Sequence, residues 1–183
     1  FVSLEDFGTD GEIKRTETRT LDEVYDGYTY FREGDIAIAK ITPSFENGKG
    51  AICQNLKNNV GFGTTELHVL RPREGVSTDF LWYVLRSKPF TDEAKTAMRG
   101  VAGQQRVPTE FLENFRISDL NKKDTQKLTS LVREKCGTID ALIESKKSLK
   151  QKLAERRRSL ISSAVLGDEG EQIVTDGPSP VLD

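Results

Sequence analysis

From Lys122 to Val165 the chain contains no proline, and this stretch constrains the fold more than any other. Apolar residues recur in it at coiled-coil spacing. Leu128, Leu142 and Leu149 share one heptad position, and Val132, Ile139, Leu153 and Leu160 share another. A continuous helix of this length reaches about 65 Å at 1.5 Å per residue, more than one small domain can cover. The pattern is therefore a seam, and it predicts a helix that pairs with a second helix. Lys135, Lys146 and Arg156 interrupt the seam, and Gly137 costs about 1 kcal/mol relative to alanine in a helix interior. Gly167 is placed to follow the helix end. The acidic residues beyond it, with their glycines and prolines, are expected to be disordered.

Charge is segregated along the chain. The net charge of −2 by itself argues against a nucleic-acid binder, because phosphate neutralisation usually leaves a basic footprint. Yet residues 121–165 hold 12 Lys/Arg against 5 Asp/Glu, residues 1–120 hold 15 against 19, and the last 18 residues hold five acids and no base. A basic surface on the helix, or around Lys40 to Arg106, is compatible with that distribution. The 183 residues, 36% apolar and 31% charged, suffice for one domain with a core and an extension. Cys53 and Cys136 stand far apart without metal-ligand or disulfide spacing, which suits a reducing, cytoplasmic setting. No apolar run approaches the roughly 18 residues needed to span a bilayer. The first residue is Phe1 and not methionine, so a fragment or a processed chain is expected.

Ahead of the helix, the pattern is of short strands followed by short helices. Residues 1–32 are polar and punctuated by Gly8, Gly11 and Gly27, and read as loops with short edge strands. Asp35 to Ile41 has the composition of a central strand buried on two faces. Ala51 to Gln54 and Thr65 to Leu70 read as further strands, the second stopped by Pro72. Thr78 to Ser87 reads as a helix capped by Thr78, with Phe80, Leu81, Val84 and Leu85 inward. After Pro89 a second helix is expected over Thr91 to Arg99, with Asp92 and Glu93 in its first turn and Gly100 beyond its end.

Two segments carry recognition chemistry. In KITPSFENGK, Lys40 to Lys49, Pro43 fixes a turn and Asn47-Gly48 is a tight-turn dipeptide. Lys40 and Lys49 can reach phosphates, and Ser44, Phe45 and Asn47 can approach base edges. The plainer reading is a hairpin loop with Phe45 in the core and solvated lysines. In GVAGQQRVP, Gly100 to Pro108, two glycines permit backbone conformations closed to other residues, and Gln104, Gln105 and Arg106 follow them. Glutamine pairs bidentately with adenine and arginine with guanine, each discriminating by about 1 to 3 kcal/mol. Alternatively the glutamine amides brace the turn. His68 lies in an apolar-alternating strand without convergent partners and reads as structural. Asp35, Glu46 and Glu66 lack the paired acids plus lysine of a nuclease metal site, and neither a Gly-rich phosphate loop nor a methyltransferase cofactor motif occurs.

These pieces, in this order, resemble the specificity subunit of type I restriction-modification enzymes across nearly the whole chain. The resemblance rests on a strand opening Gly34-Asp35-Ile36 and on the G-x-x-G-Q element ahead of the helix. It rests also on a closing pattern at Ile139 to Ile143, Leu149, Leu153, Glu155 to Arg157, Leu160 to Ser162, Ala164, Val165 and Gly167. The family's proline-rich junction and Glu-Gln pair are replaced by Ile117-Ser118-Asp119-Leu120 and Thr125-Gln126, which leaves the hinge geometry open.

The resemblance implies an α+β chain. A mixed target-recognition domain over residues 1–120 precedes a spacer helix over 121–166 and an acidic tail over 167–183. It implies a non-catalytic module that reads one half of a split double-stranded DNA site, without a cofactor or metal of its own. The partners it implies are methyltransferase subunits carrying S-adenosylmethionine, restriction subunits in the full complex, and a second spacer helix. That helix comes from the other half of a longer subunit or from a second copy, since the chain resembles a C-terminal half or a half-subunit. The rival readings are a coiled-coil adaptor that does not bind DNA and a metal-dependent nuclease.

Overall fold

The computed structural model describes residues 1–117 and 122–166. The chain divides into two compact units, residues 1–132 and a second that begins at Arg133. Residues 118–121, including most of the expected hinge, lie outside the described residues, as do Gly167 and the acidic tail.

The first unit is built on a four-residue strand. After the short helix α1 (Leu21–Val24) and strand β1 (Thr29–Arg32), strand β2 (Ile36–Ala39) is buried at every position. It is the centre of an antiparallel sheet, flanked by β3 (Gly50–Ile52) and by β5 (Leu67–Leu70). The register sets Ala37 opposite Ala51 and Val69, and Ile38 opposite Gly50 and His68. Strand β4 (Val60–Gly63) pairs with β1 as a separate two-stranded ladder.

The sequence Ile-Ala-Ile-Ala explains the two-sided burial, because successive strand side chains point to opposite faces. Ile36 and Ile38 enter one apolar cluster with Phe45, Trp82, Leu85, Phe90, Ala94 and Val107. Ala37 enters the other, with Val2, Phe7, Phe31, Ala51, Cys53, Leu56 and Leu67. The small alanine faces the side crowded by Phe31, whose own ring lies over β4. A Cβ at Gly61 would come within 2.2 Å of that ring, so β4 needs glycine there.

Helices close the other face. Helix α2 (Thr78–Arg86) is capped by Ser77, one residue before the expected cap, whose Oγ accepts from the Phe80 amide at 3.2 Å. Its inward residues are Trp82 and Leu85, while Phe80, Leu81 and Val84 are only half-buried. Ser87 ends α2 and begins α3 (Lys88–Ala97). Pro89 therefore stands second in α3, within the first turn, where its missing N–H loses no intrahelical bond. Asp92, expected in the first turn, instead pairs with Lys88 one turn earlier. Helix α4 (Thr109–Asn114) brings Phe111 and Phe115 within 5.6 and 5.0 Å of the Phe90 ring.

The expected long helix is present as α5 (Lys122–Leu166). Among its residues only Thr129 is buried, and it back-bonds to the Thr125 carbonyl at 2.8 Å. Ile139, Leu142, Leu149, Leu153 and Leu160 are all more than half exposed, Leu142 at 58%. Leu128 is exposed and Val132 half-buried. The seam is apolar surface that this chain does not cover among the described residues.

Gly34-Asp35-Ile36 has a structural explanation. Asp35 is 1% exposed, and its two oxygens accept from Arg71 Nε at 2.8 Å and Nη2 at 2.7 Å, with the Arg32 amide adding a third bond at 2.9 Å. Burial works against the charged form, but the Arg71 and Arg32 bonds outweigh it and hold the carboxyl below its usual range. Because the folded value is depressed, this stabilisation is complete above the unfolded value of about 3.9 and is lost as pH falls through the folded one. Arg71→Gln strands the buried carboxylate. It should lower stability by about 2 to 3 kcal/mol at pH 7, at or below the low end for a broken buried pair because Arg71 is itself 45% exposed. Urea unfolding at pH 7 and at pH 3 checks this: the deficit should shrink on acidification, and equal midpoints at pH 7 would remove the pair from the account.

Candidate nucleic-acid interface

The chain leaves β2 at Ala39, and the Lys40 to Lys49 segment winds tightly before β3. Phe45 N donates to Ile41 O, Asn47 N to Pro43 O, Gly48 N to Phe45 O and Lys49 N to Ser44 O, at 2.9 to 3.0 Å. Gly48 has φ +72°, as the turn dipeptide anticipates, and its carbonyl accepts from Arg86 Nη1 of α2 at 2.8 Å.

The second segment is a hairpin. Arg99 and Arg106 exchange backbone bonds of 3.0 and 2.8 Å, and Gln104 N donates to Val101 O at 3.0 Å to close the tip. Gly100 sits at φ +132°, where a Cβ would stand 2.7 Å from the Gln104 carbonyl oxygen. Glycine there lets the two arms of the hairpin approach.

These two segments, some 60 residues apart in sequence, dock on one another. Thr42 N donates to Gln105 O at 2.9 Å, Gln105 N donates to Thr42 Oγ1 at 3.1 Å, and Val107 N donates to Lys40 O at 2.9 Å. Ile41 and Arg106 form the β-bridge between them. The hairpin therefore extends the sheet side by side with the exit of β2, and the two loops are joined there.

Side chains lock the junction. Glu66 accepts two bonds from Arg106, Nε at 2.9 Å and Nη2 at 2.8 Å, while Arg106 Nη1 reaches Gln104 O at 3.2 Å. Those Arg106 bonds, with the nearby Lys40 charge, hold the Glu66 carboxyl below its usual range against the opposing effect of burial. His68 is buried, and its Nε2 lies 2.8 Å from Val107 O. A carbonyl can only accept, so Nε2 carries the proton and donates. Burial lowers the imidazole pKa, the Val107 bond opposes this, and the Lys40 charge lowers it further.

This geometry sorts the sequence candidates. Asn47 and Gln104 are exposed, Ser44 is half-buried, and Lys40 and Gln105 are half-buried where the two segments meet. Phe45 is not on the surface: it is 6% exposed and lies 6.4 Å from the Phe90 ring, so the plainer reading holds for it and base contact does not. Lys49 is half-buried and donates its Nζ to Leu4 O at 3.2 Å, so it is a brace in this structure. Arg106 is 43% exposed but forked onto Glu66, so it does not present a free guanidinium. Gln105 braces the junction through its backbone.

Thr42 and Glu66 were missed as organisers of the surface. Nothing local in sequence links residue 66 to residue 106 or residue 42 to residue 105. Asp35, Glu46 and Glu66 do not converge, and no group of three or more potential metal ligands occurs among the described residues. None of the described helices is long and apolar enough to cross a membrane. Cys53 is buried and its thiol is pushed up to about 12, chiefly by burial, which leaves it unreactive as a nucleophile.

Comparison with known proteins places this geometry. No family model matches the chain. It is 50% identical over 99 residues to the type I restriction enzyme EcoAI specificity subunit of Escherichia coli, and 46% identical over 102 residues to the EcoEI specificity subunit of the same species. The matches cover 54% and 55% of this chain but 17% of either relative, so the chain spans well under two thirds of their length. Among solved structures, the HsdS subunit from Thermoanaerobacter tengcongensis superposes with a TM-score of 0.61 at 19% identity, over 97% of this chain and 44% of that one. A chain from a structure of a type I R-M system, concerned with complex assembly and conformational transition, gives 0.51 at 17% identity over the same shares. The α+β fold with a long helix is thus that of HsdS, and the resemblance to type I specificity subunits is borne out.

The buried histidine makes the junction sensitive to pH. The folded pKa lies below the unfolded value of about 6.5, so the unfolded chain takes up a proton first and stability should fall as pH drops below that value, levelling off once the folded imidazole also titrates. His68→Gln keeps an N–H donor for Val107 O and should abolish this part of the pH dependence between pH 7 and 5. Thermal melts of both proteins across that range test it, and parallel slopes would clear His68 of the effect.

Proposed function

We propose that this chain is the DNA sequence-recognition module of a type I restriction-modification specificity subunit, non-catalytic in itself, reading one half of a bipartite site. The observation that carries the reading is the docking of Thr42 on Gln105. It joins two polar loops, distant in sequence, on a fold shared with HsdS, and Asn47 of the first loop and Gln104 of the second are exposed. Backbone bonds fix where those side chains start, which is what base readout requires.

In this reading Asn47, Gln104 and, secondarily, Ser44 and Gln105 face base edges, and Lys40 faces phosphate. Arg106 positions the hairpin through Glu66. The unpaired seam of α5 docks a second spacer helix, from a longer subunit or from a second copy, and the paired helices set the gap between half-sites and hold the methyltransferase subunits. Restriction subunits join in the full complex. Affinity shared with those partners accounts for recognition by a chain of net charge −2.

The test is selection from random duplexes by this chain mixed with a cognate methyltransferase subunit at fixed salt. A split motif with a fixed gap is expected; folded, paired protein that enriches nothing would favour the adaptor. Gln104→Ala should lower the ratio of cognate to scrambled affinity about tenfold, as loss of one good base contact does. A fall equal on both duplexes would move Gln104 off the bases. Leu142→Asp should leave the first unit's melting unchanged while abolishing helix pairing, read as molar mass in solution. An unchanged mass would count against the seam.

A further inference from the structure

The opposite end of β2 carries a second polar surface that the loop junction does not use. A cleft of about 270 Å³ is lined by three arginines, Arg32, Arg71 and Arg73, and by Thr78 at the start of α2. Its acids are largely committed. Asp35 is neutralised by Arg71, and Glu33 accepts from the Asn55 and Leu56 amides at 2.9 and 3.0 Å. Glu74 remains as the one lining carboxylate with neither a hydrogen bond nor an ion pair among the described residues.

Arg71 is held in place by a buried partner. Asp35 fixes Nε and Nη2, and Nη1 carries no hydrogen bond among the described residues. A guanidinium oriented in this way meets an anion without first losing side-chain freedom. Arg32 and Arg73 are exposed and have no ion pair among the described residues. The positive end of the nine-residue helix α2 opens on the same cleft through Thr78. An adjoining cleft shares Gly75 and Val76 and is lined by Lys122, which continues the cationic surface.

We propose that this cleft seats a backbone phosphate of the duplex, with Arg32, Arg71 and Arg73 as positioning contacts that carry no sequence information. The proposal rests on the recognition reading above. Asp35 and Lys40 are about 16 Å apart along β2 at roughly 3.3 Å per residue. Against a major groove about 12 Å wide, that separation lets one duplex offer base edges to the loop junction and a flanking phosphate to the arginines. Phosphate contacts of this kind fix register, which the loop pair needs if Gln104 is to meet the same base each time.

Arg71 is a poor probe because removing it strands Asp35, so the variants are Arg32→Gln and Arg73→Gln, singly and together. One arm measures affinity of the chain with its methyltransferase subunit for cognate and scrambled duplexes across a salt series. The other titrates the chain alone with inorganic phosphate while following the amide resonances of Gly75 to Thr78. The expected result is a several-fold loss of affinity in the double variant, equal on both duplexes. The slope of log affinity against log salt should fall by about 0.9 for each phosphate released, and the phosphate response of those amides should be lost. Unchanged affinity and slope, with wild-type complex binding its motif, would overturn the proposal while leaving the recognition reading intact. A phosphate response without any effect on DNA would reassign the cleft to a free anion and equally overturn it. Wild-type complex that binds no duplex, with the phosphate response still lost in the variants, would sink the recognition reading and keep only the anion site.

Discussion

A strand of four residues, buried on both faces, organises the first unit. Ile36 to Ala39 can be so short because each residue is used: the isoleucines anchor the helical side, the alanines make room for Phe31 and its glycine-lined strand, and every backbone group has a ladder on one side or the other. Such a strand has no free edge and no solvent face, so whatever the unit does must happen at its ends. One end is Asp35, fixed by Arg71; the other is Lys40, whose carbonyl receives the Val107 amide. Both polar surfaces of the unit grow from those two termini.

The sequence made some of this legible for physical reasons and concealed the rest for others. Strand β2 could be read because two-sided burial leaves a continuous apolar run, and α5 because a heptad repeat from Leu128 to Leu160 within a proline-free stretch has few alternatives. Helix boundaries were harder. Serine and threonine are both good caps, and Ser77 and Thr78 stand side by side, so only the Phe80 amide bond distinguishes them. Pro89 reads as a breaker but stands in the first turn of a helix instead, because its place relative to Ser87 decides which effect operates. Helix α1, a single turn, has no periodicity to detect.

At the junction of the two loops the sequence exposed the pieces and concealed their assembly. Polar turn residues between strands mark both loops, but pairing Thr42 with Gln105 and Glu66 with Arg106 depends on the sheet carrying distant segments into register. Composition also draws attention to residues that this structure engages elsewhere. An aromatic ring, a lysine and an arginine are the side chains one would choose for DNA, and in this structure Phe45 fills the core, Lys49 holds the Leu4 carbonyl and Arg106 holds Glu66. Exposed amides remain, and these are less conspicuous in a sequence.

That division of labour has an energetic logic under the proposed reading. A free arginine on the hairpin would bind any phosphate, adding affinity for every sequence alike and so lowering the share that depends on bases. Forked onto Glu66, Arg106 instead stiffens the hairpin, and the carboxylate beside it offsets its charge. The contacts left for DNA at the junction are then mostly neutral and geometrically held, which favours discrimination over strength. Strength has to come from cations placed away from the base-reading loops, and the chain has them at Arg32 and Arg73 and along a helix rich in lysine and arginine. A net charge of −2 is consequently no obstacle to sequence recognition: what matters is that the attraction which ignores sequence and the contacts which depend on it are carried by different residues.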